Sequence, residues 1–508
     1  MKFHLISQKL WSADKGFKSG YLEIDNWNDY SFVTAFNLSV ADKNGKIHNL
    51  GALKIGFKGQ DTSQSTFRFL EKIFDQLPPE FFSLGCDEMY YRNLSELPQD
   101  FRNDILKSLN DMVYDKSYVK LALDESVFSV SLLRGVSLTS INGQFTRVLN
   151  GNPPLTNFEF EYKRIQEEKV AGIDLLFQVK ANSKPTTNIH ALIGRNGIGK
   201  TTLLNGMINA IIKRDVDSGL FFDREIPGDS IIDKQYFSSL ISVSFSAFDP
   251  FDPPEEQPDP SKGTCYYYIG LKNLASNRTH ELKSLANLHK EFVQSLNICL
   301  AQDLRRERWA KAVQILESDE NFSSMNLKSL LNYSGTELTE RATSRIERMS
   351  SGHTIVLLIV TKLVAKVEEK TLVLIDEPES HLHPPLLSAF IRSLSDLLHD
   401  RNGVAIIATH SPVVIQEVPK SCVWKIFRSR LQMESIRPEE ETFGENVGTL
   451  TREIFGLEVG KSGFHNVLRE SVMNGDSFNE ILEEFDNQLG LEAKSILRSL
   501  VNLRDRDQ

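Results

Sequence analysis

The stretch GRNGIGKTT, residues 194–202, decides how this 508-residue chain is to be read. It fits G-x-x-x-x-G-K-T and stands where that pattern carries meaning. The apolar run IHALIG (189–194) precedes it, and Leu203, Leu204, Met207, Ile208 and Ile211 mark one face of a helix after it. Gly194, Gly197 and Gly199 let the backbone bend close to a phosphate. Successive N–H groups of the loop, with Arg195, Asn196 and Ile198, and of the helix start at Thr202 then face the phosphate oxygens. Lys200 is placed to reach the β- and γ-phosphates and Thr201 to ligate Mg2+, so ATP with Mg2+ is the expected ligand.

Downstream, TLVLIDEPESHLHP (371–384) is an apolar strand that ends in carboxylates. Asp376 is expected to hold the metal and Glu377 to polarise the attacking water. The next apolar strand, VAIIATH (404–410), ends in His410, where an imidazole can sense a γ-phosphate. Before both lies RMSSGHTIV (348–356), whose Ser350, Ser351 and Gly352 read as a helix N-terminus prepared for an anion. Further apolar strands at 240–245 and 423–427, separated by helical spacing, imply a largely parallel, covered sheet.

The order of these motifs resembles the ATP-binding-cassette superclass: phosphate loop, helical insertion, signature, carboxylate strand, switch histidine. The resemblance implies that MSSGH stands for L-S-G-G-Q, matching at Ser350 and Gly352, and that these residues close over ATP held by a second chain. A homodimer or a higher even-numbered oligomer is then expected. His381-Leu382-His383-Pro384, together with ATHSP, looks like the soluble ATPases of prokaryotic anti-phage defence, relatives of the overcoming-lysogenization-defect ATPases. Within them the chain is most similar to the ATPase subunit of Septu-type systems (PtuA), and second to that of PARIS systems. Such a resemblance implies control of a separate effector, a nuclease. A DNA-repair or DNA-end-sensing ATPase, or a scaffold clasped by ATP, are the competing readings. His383 stands where transporters carry an aspartate, and Ser244 or Ser246 takes the place of a glutamine.

The expected architecture is α/β, a P-loop NTPase of ABC-ATPase type with additions. An α+β N-terminal domain covers 1–150, the ATPase domain 151–430 with a helical insertion at about 272–348, and a helical segment 431–508. In the first of these, Asn44-Gly45 predicts a hairpin, 65–77 and 100–112 predict helices, and SVFSVSLLRG (126–135) a strand. Near the end, Phe478, Ile481, Leu482, Phe485 and Leu489 form a helical stripe that packs on its own protein or on a partner.

The formal charge of -10 argues against non-specific coating of nucleic acid, and LRRERWAK (304–311) is the one candidate patch for contact with DNA or a partner. His381 and His383 at i, i+2 are candidate metal ligands or interface residues, and RDRD (504–507) carries an Asp-x-Asp spacing without a preceding strand. Four dispersed cysteines predict neither a disulfide framework nor a zinc site. No membrane span is expected, and a cytoplasmic location is.

Overall fold

A computed structural model describes residues 1–7, 18–25, 32–134, 136–151, 155–166, 171–226, 228–245, 251–273, 282–301, 303–429, 432–459, 463–473 and 476–506. Ser246 and Asp507 lie outside them. Among the described residues no helix is long and apolar enough to cross a membrane.

The N-terminal strands are β1 (Lys2–Ile6), β2 (Ser19–Ile24), β3 (Ala35–Ala41), β4 (Ile47–Phe57), β5 (Ile73–Phe74) and β6 (Phe81–Gly85), in the order β5-β1-β2-β3-β4-β6. The β3–β4 hairpin turns at Gly45, φ 77°, while the Asp42 carboxylate accepts the N–H groups of Asn44 and Lys46 at 2.8 and 3.0 Å. Two expectations fail here. Residues 65–77 form only a short 3-10 turn, Thr66–Arg68, and then β5, because Ile73–Phe74 pairs antiparallel with β1 and extends the sheet edge. Residues 126–132 are helical rather than extended, and 133–134 a turn, with Gly135 outside the described residues: Val127, Phe128, Ser131 and Leu132 are buried and Val130 is exposed. The reading as a strand rested on the alternation of Phe128, Val130 and Leu132 with serines, which packing under β4 overrides.

A four-stranded antiparallel sheet follows, built from β7 (Phe158–Arg164), β8 (Ile173–Val179), β10 (Leu220–Asp223) and β11 (Ser230–Ile231). The larger sheet holds β9 (Ile189–Ile193), β12 (Ser239–Ser244), β13 (Cys265–Gly270), β14 (Leu372–Asp376), β15 (Val404–Thr409), β16 (Val423–Ser429) and β17 (Gln432–Ile436). Its order is β13-β12-β14-β15-β9-β16-β17, parallel as far as β16. Strand β17 pairs antiparallel with β16, so the sheet runs past residue 430, the point at which the sequence suggested a change to helix.

The central strands are apolar at most positions because both faces are covered. Ile189, Ala191, Ile193, Val373, Ile375, Ala405 and Ile407 belong to the core beneath the helices Leu285–Leu300, Asp303–Leu316 and Ser351–Lys366. Alternate residues Leu192, Leu372, Leu374, Ile406 and Ala408 belong to the core around the helix Lys200–Ile212. Part of the basic stretch 304–311 is spent inside this packing, while Lys311 stays exposed and pairs with Asp396 at 2.6 Å. Arg305 pairs with Glu368 at 2.8 Å, Arg401 pairs with the same carboxylate, and the buried Trp309 donates its Nε1–H to Thr361 Oγ1 at 3.0 Å. In the C-terminal helices Ile481 packs with Leu468, Val472, Leu497 and Val501, so the stripe there is used within its own protein.

The N-terminal unit is fastened to the larger sheet near Glu369, whose carboxylate accepts the Gln144 N–H at 2.9 Å and pairs with Arg147 at 2.5 Å. Thr139 Oγ1 donates to Gln235 O at 2.8 Å beside it.

One buried group gives the fold an acid limit. His190, on β9, is fully buried with its ring edge toward Phe177, and burial, then the charge of Arg437, lowers its pKa from 6.5 to about 3. It is therefore neutral in the fold and takes up a proton on unfolding, so stability present above pH 6.5 is lost as pH falls, by about 1.4 kcal/mol per unit. His190→Leu should shrink the loss of unfolding free energy between about pH 7.5 and pH 5 by about 2 kcal/mol. Denaturant titrations at the two pH values check this, and an unchanged difference would refute it.

Candidate functional site

Parallel register puts the ends of four strands in one row. Ser244 stands opposite Asp376, Asp376 opposite Ala408, and Thr409 opposite Ile193, at the carboxyl edge of the sheet. Ligands of open α/β sheets bind outside this edge.

The loop 194–202 leaves β9 there. Gly197 (φ 80°) and Gly199 (φ 101°) adopt left-handed backbone conformations, and a Cβ at Gly194 would lie 2.5 Å from Ile426 O. Arg195, Asn196 and Ile198 complete the loop, and Thr202 lies in the first turn of the helix Lys200–Ile212. Lys200 is buried and donates to Gly194 O (3.0 Å) and Arg195 O (3.2 Å), with Glu377 Oε1 3.9 Å away. Burial lowers its pKa, opposed by Glu377, Asp376 and Glu379. A cation held against carbonyl oxygens at a helix N-terminus is placed to exchange them for phosphate oxygens.

Thr201 and Asp376 line one small cavity of about 40 Å3 with Ser242, Ser244 and Tyr268. A hydroxyl and a carboxylate are the oxygen donors a hard divalent cation takes, so this donor set fits Mg2+.

Glu377 follows Asp376 with φ 45° and ψ 60°, a left-handed conformation unusual for a residue with a side chain, and its N–H donates to Ala408 O at 2.9 Å. His410 Nδ1 lies 3.1 Å from Glu379 Oε1 and 3.6 Å from Glu377 Oε1. These carboxylates, Glu377 first, raise the pKa of His410, and His410 in turn lowers that of Glu377. The sequence reading missed Glu379. Its largely buried carboxylate accepts the backbone N–H of His410 and the Thr409 hydroxyl, each at 2.6 Å, and so fixes the histidine. The one available signal was an acid two residues beyond Glu377, at a position where transporters carry threonine.

Ser350 caps the helix Ser351–Lys366, and its Oγ lies 2.6 Å from His353 Nδ1. A Cβ at Gly352 would meet His381 O at 2.7 Å, so the close approach of these segments requires glycine. The Nε2–H of His381 donates to Phe245 O at 2.9 Å and His383 Nδ1 accepts the Leu386 N–H at 3.2 Å, so both rings have structural uses. Among the described residues no hydrogen bond or ion pair joins Ser350, Ser351 or Gly352 to Lys200 or Thr201. The structure thus gathers Lys200, Thr201, Asp376, Glu377 and His410 at one edge, and packs the serine-glycine turn against His381.

Residues 270–416 match the family described as "AAA domain, putative AbiEii toxin, Type IV TA system". Among solved structures, cbiO1 from Clostridium perfringens, part of an ABC transporter complex, aligns over 56% of this chain and 88% of its own at 15% identity, TM-score 0.31. The ATP-binding cassette MJ1267 in its ADP conformation aligns over 60% of this chain and 99% of its own at 12% identity, TM-score 0.33. The parallel sheet, the phosphate-loop motif and the AAA-domain match together describe an α/β P-loop NTPase fold. Protein ea59 of Escherichia phage lambda is 51% identical over 504 residues, 96% of this chain and 95% of that protein. The chain belongs to the family of the ea59 protein of phage lambda.

Proposed function

We propose that this chain binds and hydrolyses ATP in a dimer with two composite sites, and that turnover controls a separate effector, a nuclease, in an anti-phage defence system. The observation that carries the ATPase reading is the convergence of Lys200, Asp376, Glu377 and His410 at one sheet edge. In this reading Lys200 binds the β/γ-phosphates, Thr201 and Asp376 hold Mg2+, Glu377 polarises the attacking water and His410 senses the γ-phosphate. The metal supplies neutralisation of charge on the phosphate oxygens. Ser350, Ser351 and Gly352, which among the described residues make no hydrogen bond to Lys200 or Thr201, serve the nucleotide of a second chain.

Support for the defence role comes from the toxin named in the family description and from the His-Leu-His-Pro ending. Within that class the chain is read as a Septu-like ATPase subunit first and a PARIS-like one second. A DNA-end-sensing role loses its local support, because Arg305 and Trp309 are engaged inside the protein. Purification from the native locus, with identification of what co-purifies, tests the effector; cleavage of DNA by this chain alone, lost on mutation of its own acidic or histidine residues, would overturn the division of labour.

Composite sites also make a prediction of their own. Lys200→Ala and Ser350→Arg chains, each inactive alone, should regain part of the wild-type ATPase rate when mixed. In a mixed dimer one site carries both defects and the other carries neither. Mixed dimers shown to form without any recovered turnover would argue for sites confined to one chain.

A further inference from the structure

Two histidines from different helices converge on one carboxylate. Asp319 precedes the short helix Glu320–Ser324 of the helical insertion, and its Oδ1 accepts the N–H groups of Asn321 (3.0 Å) and Phe322 (3.2 Å), which fix its direction. His353, in the first turn of the helix Ser351–Lys366, has Nε2 3.0 Å from Asp319 Oδ1. His383, which caps the helix Pro384–Asp400, has Nε2 3.2 Å from Asp319 Oδ2. The two ring centroids are 6.0 Å apart with their planes at 83°, so the rings do not stack, and both turn Nε2 to the carboxylate.

Each of the three residues thus offers one ligand atom within 4.8 Å of the other two. Ligands of a tetrahedral ion, bound at about 2.0–2.1 Å, stand about 3.3–3.4 Å from one another. The two contacts with the carboxylate, 3.0 and 3.2 Å, are already near that spacing. Two imidazole nitrogens and a carboxylate oxygen suit Zn2+ and its late transition-metal neighbours, whereas Mg2+ and Ca2+ take oxygen donors.

The surroundings fit a metal ligand set as well. His353 Nδ1 lies 2.6 Å from Ser350 Oγ, the outer hydrogen bond that orients a ligating histidine. The Phe322 ring stands 5.2 Å from the His353 ring, and the half-exposed His383 leaves the ion a way in. One contact opposes binding: His383 Nδ1 accepts the Leu386 N–H at 3.2 Å. A metal on Nε2 moves the hydrogen of that ring to Nδ1 and gives this bond up. One neutral hydrogen bond is then lost against three coordinate bonds gained.

We propose that Asp319, His353 and His383 bind one divalent transition-metal ion of the Zn2+ class, with a fourth position open to water. The ion clasps three elements that the chain delivers separately: the helical insertion, the serine-glycine helix and the helix after the carboxylate strand. Its ligands are distinct from Thr201 and Asp376, whose oxygens suit Mg2+.

The test titrates the full chain, stripped of metal by a chelator and free of nucleotide, with Zn2+ and separately with Co2+. About one equivalent of Zn2+ should bind per chain, excess Mg2+ should not compete, and Co2+ should give the visible absorption of a tetrahedral site. Excess Zn2+ should also raise the melting temperature, as a ligand of the folded state does. His383→Gln, at the half-exposed position, should leave the melting temperature of the metal-free chain close to wild type. It should weaken Zn2+ binding by more than the about 10–100-fold that loss of an outer partner costs. Asp319→Asn keeps a helix-capping side chain and should weaken binding as far; His353→Gln takes its place if that variant does not fold. His381→Gln should bind Zn2+ as wild type does. So should Lys200→Ala, even with ATP binding lost, so the metal site stands or falls apart from the ATPase reading. No stoichiometric binding, or binding that survives both His383→Gln and Asp319→Asn, would overturn the proposal. Loss of the Co2+ absorption with His381→Gln but not with Asp319→Asn would do the same.

Discussion

Glu377→Gln should lower ATP turnover by about a hundredfold to ten-thousandfold, the range a positioned general base contributes, while ATP binding persists. The argument is local. Glu377 stands at the end of β14, one residue beyond the candidate metal carboxylate, with its side chain between Lys200 at 3.9 Å and His410 at 3.6 Å. Glutamine keeps the shape and removes the proton acceptor. The ATP-bound dimer should therefore live longer and accumulate in size-exclusion profiles. Turnover within about threefold of wild type would remove Glu377 from the role of base.

Lys200→Ala should weaken ATP binding by about a hundredfold or more, since hydrogen bonds to charged groups contribute about 1.5–3 kcal/mol each and Lys200 is placed to make at least two. Equilibrium titration with ATP analogues measures this. Loss of folding is separable from loss of binding. The ammonium is buried and its pKa lowered by that burial, so its removal takes an unfavourable charge from the interior along with the bonds to Gly194 O and Arg195 O. The melting temperature of Lys200→Met should stay close to wild type while its affinity falls as far as that of the alanine variant. A large fall in melting temperature with little loss of affinity would mean that Lys200 serves the loop and not the nucleotide.

How much of this was legible in the sequence depends on the range of the interactions. The strands of the larger sheet announce themselves, because a strand covered on both faces must be apolar along its length, as LVLID and VAIIAT are up to their last residue. The cradle is legible because backbone geometry requires glycines at fixed spacing. Lys200, Asp376, Glu377 and His410 each sit one step from such a signal. Glu379 and Asp319 do not. They matter through partners 31 and 34 residues away, His410 and His353, and no local pattern marks them. The segments 65–77 and 126–135 misled for the converse reason: their local spacing is real, but edge pairing with β1 and packing under β4 decide their conformation.

The attachment of the N-terminal unit has a consequence for architecture. Its anchors, Gln235 and Glu369, precede β12 and β14, so they stand at the rear of the sheet, and the nucleotide edge is at the front. Whatever the N-terminal unit carries is mounted at the opposite end of the sheet strands from that edge, which in the proposed dimer leaves the two front edges free to meet. Glu369 also lies in the short linker between the serine-glycine helix and the carboxylate strand. Movement of that helix relative to the sheet would pull directly on the mount, as a crankpin pulls on its rod.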